Sequence, residues 1–184
     1  LTVSYDSGAG NGPFGFGWSL SLPQITRKTD KGLPKYEDAT ESDVFLLSGA
    51  EDLVPEFEKD TTGHWVIKDA KHALYDKPRL VNGVEYRVRR YRPRLEGLFA
   101  RIERWTNTTD AADVFWRSIS KDNITTWYGK TKESRIADPS DESRIFSWLI
   151  CESYDDKGNV ITYRYKAEDS AGIDNTHAHE RNRT

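Results

Sequence analysis

The chain has 184 residues, of which 36% are hydrophobic, 31% charged and 12% aromatic, and its formal net charge is -3. So many aromatics exclude a disordered chain, and the lack of any apolar run of about 18 residues excludes a spanning helix. The mildly negative charge excludes non-specific affinity for nucleic acid.

The chain contains no methionine, not even at position 1, and residues 1–5 already alternate like a strand under way. We therefore expect a fragment of a longer chain, without a recognisable leader. The next stretch, Ser7 to Trp18, interleaves glycines with Phe14, Phe16 and Trp18. Gly10-x-Gly12-x-x-Gly15 matches a dinucleotide fingerprint by letter, but that motif opens a helix. Here Phe16, Trp18, Leu20 and Leu22 continue with period two, so the glycines form a loop that feeds a strand.

Period-two alternation then marks strands at 18–26, 44–48, 65–68, 84–91, 100–105, 114–120, 125–128, 145–154 and 160–165. Turn signals separate them at Asp30-Lys31-Gly32, Ser48-Gly49, Thr62-Gly63, Asn82-Gly83, Asp122-Asn123 and Lys157-Gly158-Asn159. Asn82-Gly83 is the strongest, because a type I′ hairpin needs positive φ at both central residues. Helical signals are weak. Asp138 as N-cap and Pro139 at the first position predict a short helix over 139–147, and 69–75 offers one further turn. Residues 167–184 hold a single large apolar residue, Ile173, and form a polar terminal segment. The fold class is mainly β: an antiparallel sheet of many strands and hairpins, with at most one or two short helices.

Charge is segregated. Residues 37–60 carry nine acids against one base, Lys59, and residues 87–94 carry five arginines. Mutual neutralisation is the simplest account, and a partner-facing patch the sharper one. On a strand, Arg87 and Arg89 face one way and Arg90, Arg92 and Arg94 the other.

No catalytic grouping stands out. His177-x-His179 lies in the polar terminal segment and lacks a second ligand pair. The carboxylates show no pair with neighbours that would split their pKa values. The six tryptophans, Trp18, Trp65, Trp105, Trp116, Trp127 and Trp148, read as core and sheet-face residues rather than a sugar platform. The single cysteine, Cys151, sits in an apolar run and reads as a small buried hydrophobe. We therefore expect no catalytic, cofactor-binding or metal-binding residues.

Tyr154-Asp155-Asp156-Lys157-Gly158-Asn159-Val160-Ile161-Thr162-Tyr163-Arg164-Tyr165 resembles a tyrosine-aspartate (RHS/YD) repeat unit. Ser7 to Trp18 followed by Pro23-Gln24-Ile25-Thr26-Arg27, then residues 43–55, 91–102 and 122–129, resembles the SpvB-like N-terminal region. That region is shared by the Salmonella virulence plasmid 65 kDa B protein and the B components of bacterial insecticidal toxin complexes, and the resemblance spans nearly the whole chain.

The resemblance implies one SpvB-like region over 1–184, forming part of an RHS/YD-repeat shell. It implies a non-catalytic structural role in a secreted toxin B component, whose β-shell encloses and helps deliver a toxic effector. The implied partners are a toxin complex C component, as shell partner, and an A pore component docked through regions outside these residues. Nucleic acid and direct membrane insertion are not implied. The implied location is extracellular, with delivery towards the host cytoplasm. One alternative is the N-terminal secretion or translocation region of a virulence protein with a fused ADP-ribosyltransferase; another is a carbohydrate-binding module. Residues 87–94 and the acidic stretch would then contact neighbouring shell strands, and the isolated region would expose unpaired edges and dissolve poorly.

Overall fold

The computed structural model describes residues 2–166, apart from 9, 13, 49–51, 69–70, 96 and 98. The polar segment 167–184, with His177 and His179, and the Gly49 turn position lie outside the described residues.

In chain order the strands are β1 Thr2–Tyr5, β2 Asn11–Gly12, β3 Gly15–Phe16, β4 Trp18–Ser21, β5 Gln24–Arg27, β6 Phe45–Leu47, β7 Asp52–Pro55, β8 Ile67–Lys68 and β9 Lys71–His72. They continue as β10 Asp76–Val81, β11 Val84–Pro93, β12 Arg101–Asn107, β13 Val114–Ile119, β14 Thr125–Tyr128, β15 Arg135–Asp138, β16 Asp141–Tyr154 and β17 Val160–Thr162. Two short 3-10 turns, η1 Asp38–Thr40 and η2 Lys132–Ser134, are the helical content of the described residues. The fold is thus mainly β and antiparallel, as the alternation predicts.

The sheet closes. Strands run in the order β11-β12-β13-β14-β16-β5-β6-β7, and β7 pairs again with β11 through Tyr91↔Pro55, Arg92↔Val54 and Pro93↔Leu53. This ring of eight antiparallel strands is wide enough for side chains to fill. β10 extends the sheet beside the first part of β11, while β15 and β17 lie along β16. The ring therefore pairs its own eight strands, while β10 and β17 each pair on one side only among the described residues.

Parity fills the inside. Ile25, Phe45, Leu47, Leu53, Tyr91, Ile102, Val114, Trp116, Tyr128, Ile145, Trp148 and Ile150 form one buried cluster. The rings meet edge to face, with Phe45 and Trp116 centroids 5.0 Å apart and Trp116 and Trp148 5.9 Å apart. The Trp148 indole N–H donates to the Val114 carbonyl at 2.8 Å. Beside it the register of β14 and β16 shifts between Trp127 and Tyr128. There Gly129, at φ 66°, lies so close to Trp148 that a Cβ would sit 2.2 Å from the indole Cδ1. Cys151 is buried, as expected, with its thiol 3.3 Å from the Trp127 carbonyl.

Two sequence expectations are corrected. Residues 139–147 are no helix: β15 and β16 form a hairpin around Pro139 and Ser140, with Asp138↔Asp141 paired. The Asp138 carboxylate does accept from the Ser140 N–H at 2.9 Å, as a cap would. Burial of Ile145, Ser147 and Trp148 against β5 and β15 nevertheless favours the extended form. The turn expected over 69–75 lies partly outside the described residues, and Lys71–His72 within it is a strand. By contrast, Asn82 and Gly83, at φ 50° and 81°, make the predicted hairpin between β10 and β11.

Candidate functional site

Four features carry the chain's distinctive residues: the glycine-aromatic opening, a charged mouth inside the barrel, an aromatic-arginine patch on its outer wall, and the Tyr-Asp hairpin.

In the opening, β1 and β4 form a two-stranded ribbon with Tyr5 opposite Trp18, and β2 and β3 form a small hairpin between them. Gly10, Gly15 and Gly17 all adopt positive φ. A Cβ on Gly17 would meet the Tyr5 ring at 2.6 Å and the Asp6 carbonyl at 2.9 Å. The glycines thus permit tight turns and close backbone approach beneath aromatic rings. Strand geometry surrounds the fingerprint on both sides, so a helix N-terminus for a pyrophosphate is not formed there.

The charged mouth answers the segregation seen in the sequence. Arg27, from β5, is 2% exposed. It donates to the Asp38 carboxylate at 2.6 and 3.0 Å, to Asp43 at 2.8 Å and to the Ile145 carbonyl at 2.7 Å. Arg104, from β12, donates to Glu41 at 2.9 Å and lies over the Phe45, Tyr91 and Trp116 rings. Arg89 pairs with Glu41 and with Asp76, and Arg87 holds the same Asp76 at 2.9 Å. The Tyr91 hydroxyl donates to Glu41 at 2.8 Å. Four arginines thus meet four carboxylates supplied by η1 and its flanks and by β10. Glu41, left-handed at φ 54°, turns the chain so that its carboxylate reaches the arginines.

Burial raises the Asp38 carboxyl, but the Arg27 hydrogen bonds and the charges of Arg104, Arg27 and Arg89 outweigh it and hold the group below its usual range. Burial, with Glu41 beside it, pushes the Tyr91 hydroxyl well up. These shifts belong to structural pairs, since Arg27 and Arg104, which flank Asp38 and Tyr91, pack among aromatic rings. The arginines expected to reach neighbouring shell strands are therefore in part internal: Arg87 and Arg89 are spent on the chain's own acids.

On the outer wall, Val88, Trp105 and Phe115 form a second buried cluster, with Tyr86 and Trp127 packed against it. Trp105 and Phe115 stack at 5.9 Å with their planes 14° apart. Arg117 lies over both Trp105 and Trp127 and pairs with Glu103 at 2.6 Å. Glu103, 1% exposed, also takes Arg101 and the Trp105 indole N–H. Burial raises the Glu103 carboxyl, but Arg117 and Arg101 draw it below its usual range. Trp116 and Trp148 are fully buried and Trp105 and Trp127 are packed in clusters, which leaves only Trp18 and Trp65 as exposed indoles.

The Tyr-Asp hairpin joins β16 to β17 with Tyr154 opposite Val160. The Asp155 carboxylate accepts from the N–H groups of Lys157 and Asn159 at 2.9 Å each, and from the Asn159 amide at 2.7 Å. Gly158, at φ 87°, completes the turn. The repeat signature therefore encodes an Asx-closed hairpin.

The described residues form a filled, closed antiparallel barrel whose mouth pairs four arginines with four carboxylates of the same chain. The chain belongs to the SpvB family: the model for the Salmonella virulence plasmid 65kDa B protein matches residues 1–184. The mono(ADP-ribosyl)transferases SpvB of Salmonella typhimurium and Salmonella dublin are 36% identical over 174 residues. Those residues cover 95% of this chain and 28% of each relative, so the chain spans little more than a quarter of the curated relatives it matches.

Among solved structures, the N-terminal domain of effector protein SpvB from Salmonella typhimurium strain LT2 superposes with a TM-score of 0.77 at 33% identity, covering 96% of this chain and 52% of that one. A TcdB2-TccC3-Cdc42 complex matches with a TM-score of 0.77 at 32% identity, over 94% of this chain and 7% of that one. The Photorhabdus luminescens Tc holotoxin pore, with the mutation TccC3-D651A, matches with a TM-score of 0.77 at 32% identity, over 97% of this chain and 8% of that one.

Proposed function

We propose that residues 1–184 act as one non-catalytic structural region of a secreted bacterial toxin, forming part of a β-shell that encloses an effector and helps deliver it. The observation that supports this reading most strongly is the match of almost the whole barrel to chains in toxin complexes that contain TccC3. The Asx-closed Tyr-Asp hairpin adds to it, because such units extend a wall by pairing strand to strand. In this reading a C-type component is the shell partner and an A-type pore component docks elsewhere on the longer protein. The barrel contributes rigidity: the charges of its mouth are paired internally and the eight strands of its ring pair with one another.

A second reading rests on the SpvB relatives, which are named for mono(ADP-ribosyl)transferase activity. There the barrel is a non-enzymatic region that accompanies a fused transferase. Both readings assign this region no chemistry, and the long protein that carries it separates them. Electron microscopy of that protein with a C-type partner is expected to show a hollow shell with the barrel in its wall. A particle without a shell, with NAD-dependent labelling of a protein substrate, would overturn the shell reading in favour of the second. NAD-dependent labelling by the 184-residue chain alone would overturn both.

A further inference from the structure

A groove of about 450 Å³ lies on the outside of the barrel, lined by Pro55, Glu56, Phe57, Lys59, Trp65, Tyr75, Arg90 and Arg92. Its charges are not balanced in the way those of the inner mouth are. Arg90 stacks on the Tyr75 ring at 4.0 Å, and its buried Nε, like the Nε and Nη1 of Arg104 in the mouth, has no hydrogen-bond partner. The nearest carboxylate, Glu103, is 3.8 Å away and already holds Arg101 and Arg117. Arg92 is exposed and lies opposite Val54 in the register, so no acid faces it across the strand pair. Lys59 rests over the Trp65 ring at 4.4 Å. The lining of the groove thus holds three cations, Lys59, Arg90 and Arg92, and one acid, Glu56.

The walls are aromatic. Phe57 and Trp65 meet edge to face at 6.0 Å, and both rings are nearly half exposed. Stacked guanidinium and exposed rings favour a planar anion with an apolar neighbour, because Arg binds carboxylates in a fork and the rings take the adjoining side chain.

We propose that this groove binds an acidic peptide segment of a partner protein, a carboxylate side chain flanked by aromatic or apolar residues. Charge complementarity selects a peptide over nucleic acid. The positive patch is confined to one groove with Glu56 in its lining and Glu58 on the same segment, and the chain as a whole is negative. A polyanion needs a continuous basic track. The proposal is independent of the shell reading, since it concerns only what the outer wall captures.

The test is fluorescence anisotropy with the 184-residue chain and a labelled peptide Gly-Tyr-Glu-Phe-Asp-Tyr-Glu-Gly. Saturable binding is expected, weakened about tenfold or more by Arg92→Glu and by Lys59→Glu, and lost when the peptide's acids are replaced by their amides. Both substitutions are at exposed positions and leave the barrel core untouched; circular dichroism confirms folding. Absence of binding, equal binding of the amide peptide, or insensitivity to both substitutions would overturn the proposal. Displacement by micromolar inorganic phosphate would overturn it in favour of a small-anion site. Equal affinity for oligo-dT would overturn it in favour of nucleic acid.

Discussion

One strand, β11, carries two sets of arginines with opposite fates. Arg87 and Arg89 face the mouth of the barrel and are bound to Asp76 and Glu41. Arg90 and Arg92, one step out of phase, face the outer groove, where Arg90 finds only a distant, saturated Glu103. The residue type is the same, the strand is the same, and only parity differs. Arg89, 14% exposed, would be a poorly solvated charge without its acids, whereas Arg87, 64% exposed, already meets water, as Arg92 does on the outside. Arg89 therefore contributes to holding the fold, and Arg92 is available for recognition.

Four measurements break or sharpen that contrast. The largest effect is expected for Arg104→Ala, which strips Glu41 and Asp38 of a 3%-exposed partner and opens a gap beside Phe45, Tyr91 and Trp116. Breaking a buried pair from one side costs about 3–5 kcal/mol, and denaturant unfolding should show it. The outer counterpart, Arg92→Ala, is expected to change stability by less than about 0.5 kcal/mol in the same assay. Equal losses for the two would erase the distinction.

Next is Gly129→Ala. The added methyl collides with Trp148 and the backbone is left-handed, so a loss of about 1–3 kcal/mol is expected from overpacking. This loss tests whether the mouth depends on the close packing of the core beneath it.

The third is pH. The folded-state carboxyls of Asp38, Glu103 and Asp113 are all held below their ordinary values, burial opposing and arginine or tyrosine partners prevailing. A depressed folded pKa means that the unfolded chain binds protons first as pH falls. The stability from these groups is therefore complete above the ordinary carboxylate range, about pH 4 to 5, and is lost as pH falls through the folded values. Thermal melts from pH 7 to pH 3 should show a declining Tm, with a shallower decline in Asp38→Asn. A Tm that rises on acidification would contradict the assignment.

A similarly small effect is expected for Lys132→Ala. Its partner Glu142 and the lysine itself are both largely exposed, at 2.6 Å. An exposed pair is worth between zero and about 1 kcal/mol and is screened by salt. A change above that range would show that surface pairs matter here as much as the mouth.

Much of this was legible in the alternation of side chains. Each run with clear period two became a strand, including 84–91 and 145–154, because a half-buried pleated surface demands that period. Asn82-Gly83 and Asp155 to Asn159 marked hairpins through the backbone angles those residues tolerate. β7 and β10 were missed, since Asp52–Pro55 and Asp76–Val81 carry acids and a proline that blur the pattern. The helix expected at 139–147 was drawn from a local cap signal that long-range burial of Trp148 and Ile145 overrode.

By itself, the sequence determined the β class, the sidedness of each arginine on its strand, the glycine opening as a loop feeding a strand, and the family motifs, because these depend on local period and backbone preference. Only the tertiary structure decided that β7 returns to β11 and closes the wall, that Asp38, Glu41, Asp43 and Asp76 converge on Arg27, Arg87, Arg89 and Arg104, and that Arg90 reaches only Glu103, at 3.8 Å, while Arg92 lies opposite Val54. Those are pairings between residues far apart in the chain. Their partners are selected by the geometry of a closed sheet, which no local pattern records.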